Sequence, residues 1–173
     1  ADVQELTTAQ IGQLTTAQVS NLSTDVVSSL TTAQVASLTT TDVQQLSTDQ
    51  LASLSTADAR ALTTAQIGAL TTSQVSGLTT SNLNALSSNQ VAKLSSSQIQ
   101  ALTTDQLNGL TTADVRELSS SQIGQLTTAQ LSTLGTTNLQ ALSSTQVAGL
   151  TTAQVQSLTT DQAAALTTAQ VTS

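Results

Sequence analysis

The chain of 173 residues is 38% hydrophobic yet contains no aromatic residue and no Met, Cys, His or Pro, and only 8% of it is charged, with a net charge of −7. Three cations against ten acids argue against nucleic acid and anionic membrane surfaces as partners, and no apolar run approaches the length of a membrane span. With no His, Cys or Tyr to activate the many hydroxyls, nucleophilic and acid–base catalysis are not expected, and no catalytic, cofactor-binding or metal-binding residue is assigned.

Residues 1–5 (A-D-V-Q-E) fill the last five positions of an octad, so the chain reads as a segment that opens inside a repeat. From Leu6 onward, 21 octads follow without insertion or deletion, and the whole chain reads as one domain. Counting from the leucine, position 1 is always Leu, position 3 is always Ser or Thr, and position 2 is Ser or Thr except at Gly135. Position 5 is Gln, Asp or Asn except at Val26, and position 6 is Val, Ile or Leu except at Ala59 and Ala163.

Taking the octad 62–69 (L-T-T-A-Q-I-G-A) as the example, Thr63 placed as a helix N-cap puts Gln66 at the third helical position, the spacing of a capping box. Leu62 and Ile67 then take the two positions of a hydrophobic staple, and Leu70 ends this helix while opening the next. The charges agree with the helix dipole, except Glu5 and Glu117 at position 8. All eight aspartates (Asp2, Asp25, Asp42, Asp49, Asp58, Asp105, Asp114, Asp161) fall in the first turn, whereas Arg60, Lys93 and Arg116 fall in the last. Six glycines (Gly12, Gly68, Gly77, Gly109, Gly124, Gly149) sit at positions 7 and 8, and small residues at positions 4, 7 and 8 are expected to let helices approach closely.

The expected fold is therefore all-α: a superhelical solenoid of short capped helices, one per octad, because a helix of under two turns is unstable alone and must share its core with neighbours. A β-solenoid is the alternative, since Thr, Val and Ile favour strands. Against it, the aliphatic spacings of five and three are odd, which would place Leu and Val on opposite faces of a strand.

A longer period overlies the octad. The stretches at 1–20, 57–76 and 113–132 match one another at a spacing of seven octads, dividing the chain into units at 1–56, 57–112 and 113–168. Duplication of a seven-octad unit explains this; a whole number of superhelical turns per seven octads would explain it more sharply. In that second case Asp2, Asp58 and Asp114 could stack into a calcium site, although a plain first-turn role for each is the simpler expectation. Asn21-Leu22-Ser23 fits a glycosylation sequon, and the Thr-Thr pairs could present a hydroxyl array to a solid surface.

The tandem L-T-T-A-Q-[VI]-x-x-L units, as in 150–158, resemble octad tracts of very large bacterial exported or surface proteins, often labelled haem utilisation or adhesion. The resemblance implies an extracellular or cell-surface, structural or adhesive role. It brings no haem ligand with it, since His, Met, Cys and Tyr are absent. The expected function is a stalk, spacer or fibre segment; the alternative is a module binding ice, mineral or polysaccharide through Thr and Ser. The regularity of the last octad, 166–173, leads to a further expectation, self-association head to tail.

Overall fold

The computed structural model describes residues 3–172 and is helical throughout: a 3-10 turn at Val3–Glu5 and then twenty-one α-helices, one per octad, from Thr8–Ile11 to Thr168–Val171. No strand occurs among the described residues, which settles the choice against the β-solenoid.

Each octad folds for the reasons its residues suggest. Thr63 is the N-cap of the Thr64–Ala69 helix, with extended backbone (φ −70°, ψ 158°), and its hydroxyl accepts the N–H of Gln66. Leu70 ends the helix, again with extended backbone (φ −55°, ψ 143°), and donates its own N–H to the carbonyl of Ile67. Leu70 and the next cap, Thr71, are thus the two extended residues that turn the chain into the following helix. Helix and corner together consume one octad.

Packing fixes how many such units make a turn. The Thr40–Gln45 helix lies against Thr64–Ala69, which lies against Ser88–Val91, and throughout the chain each helix packs on the third one along. Three octads therefore complete one superhelical turn, and the solenoid has three faces. The interior is a single column of the leucines at position 1 and the aliphatics at position 6. From Ile11 to Leu139 every position 6 side chain is at most 1% exposed.

Two expectations need correction. Seven octads do not complete a whole number of turns when three make one, so residues seven octads apart lie on different faces and never meet the same neighbours. Asp49, Asp105 and Asp161, one per long repeat, consequently wind around the solenoid, one to each face. Small residues matter at positions 7 and 8 but not at position 4, where Ala65, Ala113 and their equivalents face solvent. At position 8, a Cβ on Gly77 would come within 2.8 Å of the Thr48 methyl one turn back, and at position 7 a Cβ on Gly12 would come within 3.0 Å of the Ser37 carbonyl.

Candidate functional site

The residues at position 5 carry most of the specific chemistry between turns. The sequence places Gln66 in a capping box, and there it is: its Oε1 accepts the N–H of Thr63 at 2.6 Å. The side chain is nevertheless only 2% exposed, because its Nε2 points along the superhelix axis and donates to the carbonyls of Val35 (3.0 Å) and Leu38 (2.7 Å). Val35 lies in the Thr32–Ser37 helix and Leu38 is that helix's C-cap. One amide thus caps the start of its own helix and the end of another one turn away. A primary amide suits this because it carries an acceptor and two donors on one planar group.

The arrangement recurs along the chain. Gln34 reaches Val3 and Leu6, Gln106 reaches Val75 and Leu78, and Gln170 reaches Leu139 and Leu142. Each reaches back to positions 6 and 1 around the helix end one turn earlier, which is the three-octad turn seen from position 5. The carbonyls served are buried ends of short helices, whose last C=O groups have no partner within the helix.

Shorter side chains do half the work. Asn82 donates to the Leu54 carbonyl at 3.0 Å, and Asn138 to that of Leu110 at 3.0 Å, but neither closes its own capping box. Asp42 and Asp114 do the reverse, accepting from the backbone and hydroxyl of Thr39 and Thr111 while offering nothing to the carbonyls of the preceding turn. Asp114 gains a different axial bond, accepting from the Ser88 hydroxyl one turn back at 2.8 Å. Among the described residues, the Asp58 carboxylate accepts only from Ser55, at 2.6 Å. One methylene and one donor separate these cases.

The other singled-out residues are dispersed. Asp58 and Asp114 are both buried in separate caps on different faces, and Asp2 lies outside the described residues, so the stacked calcium site does not form. No group of three His, Cys, Asp or Glu close enough to hold a metal occurs among the described residues. Arg60, Lys93, Arg116, Glu5 and Glu117 are exposed. Asn21 is exposed, with its amide donating to the Ala17 carbonyl at 2.7 Å. Hydroxyls at position 2 are taken up by caps, and those at position 3 lie on all three faces. Among the described residues, no helix is long and apolar enough to cross a membrane.

Fold and ladder together define a class: a three-sided α-solenoid of octapeptides, closed along its axis by side-chain amides. Within that class the chain belongs to the ALTTAQ repeat family, whose model matches residues 1–32, 46–80, 80–112, 109–144 and 128–160. Among curated proteins nothing matches the chain.

Sequence reasoning missed the axial half of the position 5 role. A signal was present, although Asp does stand at position 5, as Asp2, Asp42, Asp58 and Asp114: a capping box accepts Glu as readily as Gln, yet Glu, the carboxylate of Gln's length, never stands there. A carboxylate can close the box but cannot donate along the axis.

Proposed function

We propose that the chain is a structural repeat segment, a stalk, spacer or fibre section of an extracellular or cell-surface protein, with no catalytic activity. The observation that carries this reading is the ladder of position 5 amides, interrupted only at Asp42, Asp58 and Asp114 among the described residues from Gln34 to Gln170, which ties each turn to the one before it and so resists both bending and shear. The mismatch between the three-octad turn and the seven-octad sequence repeat supports it too. Substitutions that recur every seven octads advance by one face each time, so charge is spread around the stalk and no face is set apart for a partner. At roughly 8–10 Å for each layer of packed helices, about seven turns make a rod about 55–70 Å long. The extracellular setting rests on the resemblance to octad tracts of exported bacterial proteins.

Small-angle scattering on dilute protein tests the reading, with a cross-section radius far smaller than the overall length expected and a compact globule contradicting it. Exposed position 3 hydroxyls such as Thr40, Thr64 and Thr72, which have no hydrogen bond to the described residues, favour a second reading, contact with ice, mineral or polysaccharide. It is weighed by a thermal-hysteresis assay and a pull-down on insoluble glycans, where activity in either would favour it over a plain stalk.

A further inference from the structure

Asp58 is the interior rung where the axial ladder is least complete. Its side chain is 5% exposed, and among the described residues its carboxylate receives one hydrogen bond, from the Ser55 hydroxyl to Oδ2. Asp42 and Asp114 are better served: Oδ2 of each accepts both the N–H and the hydroxyl of its cap, and Asp114 adds the Ser88 hydroxyl at Oδ1. Thr32, which has the place for Asp58 that Ser88 has for Asp114, makes no such bond. Oδ1 of Asp58 therefore has no partner among the described residues, yet it is not sealed from solvent. Across the turn lie the Val27 and Leu30 carbonyls, which correspond to the pair that Gln66 binds, and that of Leu30 accepts no hydrogen bond from the described residues. No cationic side chain offsets this concentration of oxygens. The two helices packed on Thr56–Ala61, Thr32–Ser37 and Thr80–Ala85, contain no charged residue, and Arg60 on the same helix is exposed. The next residue, Ala59, is also short; among the octads only Ala163 shares this at position 6.

We infer that this rung binds a small monovalent cation, sodium or potassium, between the Asp58 carboxylate and the Val27 and Leu30 carbonyls. Buried charges in proteins are paired or coordinate a metal ion, and Asp58 has no charged partner. Both carbonyls stand at the C-terminal end of the Thr24–Ser28 helix, where the backbone dipoles are negative, so the field at the rung favours a positive ion. The shape fits as well. In the Gln66 rung the two equivalent carbonyls share one Nε2 donor, at 3.0 and 2.7 Å, and a carboxylate one methylene shorter than glutamine stops short of that point. A cation there has oxygens on both sides and does for the octad 54–61 what the amide does elsewhere. One carboxylate matches a single positive charge; calcium, with about six to eight oxygen ligands, asks for more carboxylates than the rung supplies. The site does not depend on the stalk reading, and the two fail separately.

The test compares thermal unfolding of the parent chain and of Asp58→Gln in sodium, potassium and tetramethylammonium chloride. Equal ionic strength keeps the screening of the net charge the same, and tetramethylammonium is too large to enter the rung. Glutamine brings its own Nε2 to the two carbonyls, so the variant folds with the rung complete. The parent should melt about 2–4 °C higher in sodium or potassium than in tetramethylammonium, while the variant melts alike in all three. Sodium NMR gives a second readout: the parent should broaden the sodium line more than the variant does, and added potassium should remove the difference. Equal melting of the parent in the three salts, or a salt dependence that Asp58→Gln shares, overturns the inference. So does a parent stabilised by calcium chloride and by neither monovalent salt.

Discussion

Gln66 and Leu38 are 28 residues apart in sequence and 2.7 Å apart in the fold, amide nitrogen to carbonyl oxygen. Their bond is made by a side chain that the octad already needs for its own helix cap, so the repeat that folds each helix also stacks it. Replacing Gln66 with Glu separates the two functions. The cap survives, the axial donor is lost, and a carboxylate faces the Val35 and Leu38 carbonyls, so Gln66→Glu should cost about 2–3 kcal/mol in urea unfolding. Burial beside carbonyls raises the pKa of the introduced carboxyl. A group whose folded pKa is raised contributes its stability below its unfolded pKa, so the deficit should shrink as pH falls and grow as pH rises through the folded value.

The aspartates at position 5 give the converse. Asp58→Gln restores a donor toward the Val27 and Leu30 carbonyls while keeping the cap with Ser55, and should stabilise by about 0.5–1.5 kcal/mol. Asp114→Gln should gain less, because it gives up the bond from Ser88. Chemical denaturation of the two single variants checks the order, and equal gains would show that the Ser88 bond contributes nothing.

Corner leucines and capping threonines should separate clearly in thermal unfolding. Leu102 is 3% exposed in the core column, so Leu102→Ala should cost about 2–5 kcal/mol. Thr103, whose hydroxyl accepts the N–H of Gln106, should cost about 0.5–2 kcal/mol when changed to Ala. Comparable melting of the leucine variant and the parent would remove Leu102 from the core.

Glycines at two positions should respond with opposite sign. A Cβ on Gly77 would lie 2.8 Å from the Thr48 methyl and 2.9 Å from its Cβ, so Gly77→Ala must push two turns apart and should destabilise by about 1 kcal/mol despite the helix preference of alanine. Nothing lies within 4 Å of a Cβ on Gly135, the one helix start among the described residues without a side-chain cap. Gly135→Thr should stabilise by about 0.5–1 kcal/mol through the new cap and a less flexible unfolded chain. Calorimetry on both variants reads the signs directly.

Much of this fold is legible in one octad. Thr63, Gln66, Ile67 and Leu70 announce cap, box and core, because those contacts lie within a few residues of one another and obey local geometry. Stacking is not legible in the same way. Leu38 serves Gln66, but Leu30 and Leu46 look the same in sequence, and nothing marks which octad becomes the neighbour. The seven-octad similarity points elsewhere: Asp58 and Asp114 match as sequence and sit on different faces, so likeness between repeats does not report their contact. For position 5, the absence of Glu was the available clue to an axial donor, visible only once two roles were sought for one side chain.

Three octads per turn is the central claim, and distances between exposed position 4 residues test it without disturbing the core. The chain has no cysteine, so spin labels on paired cysteines report only the sites chosen. Ala65 and Ala113 are six octads apart, two turns along one face, whereas Ala65 and Asp105 are five octads apart and on different faces. Double electron–electron resonance should give a backbone separation of about 16–20 Å for the Ala65/Ala113 pair, two layers of packed helices. It should also find that pair closer together than Ala65/Asp105 despite the longer intervening chain. The reverse order would contradict a turn of three octads and, with it, the axial bonds of the glutamines.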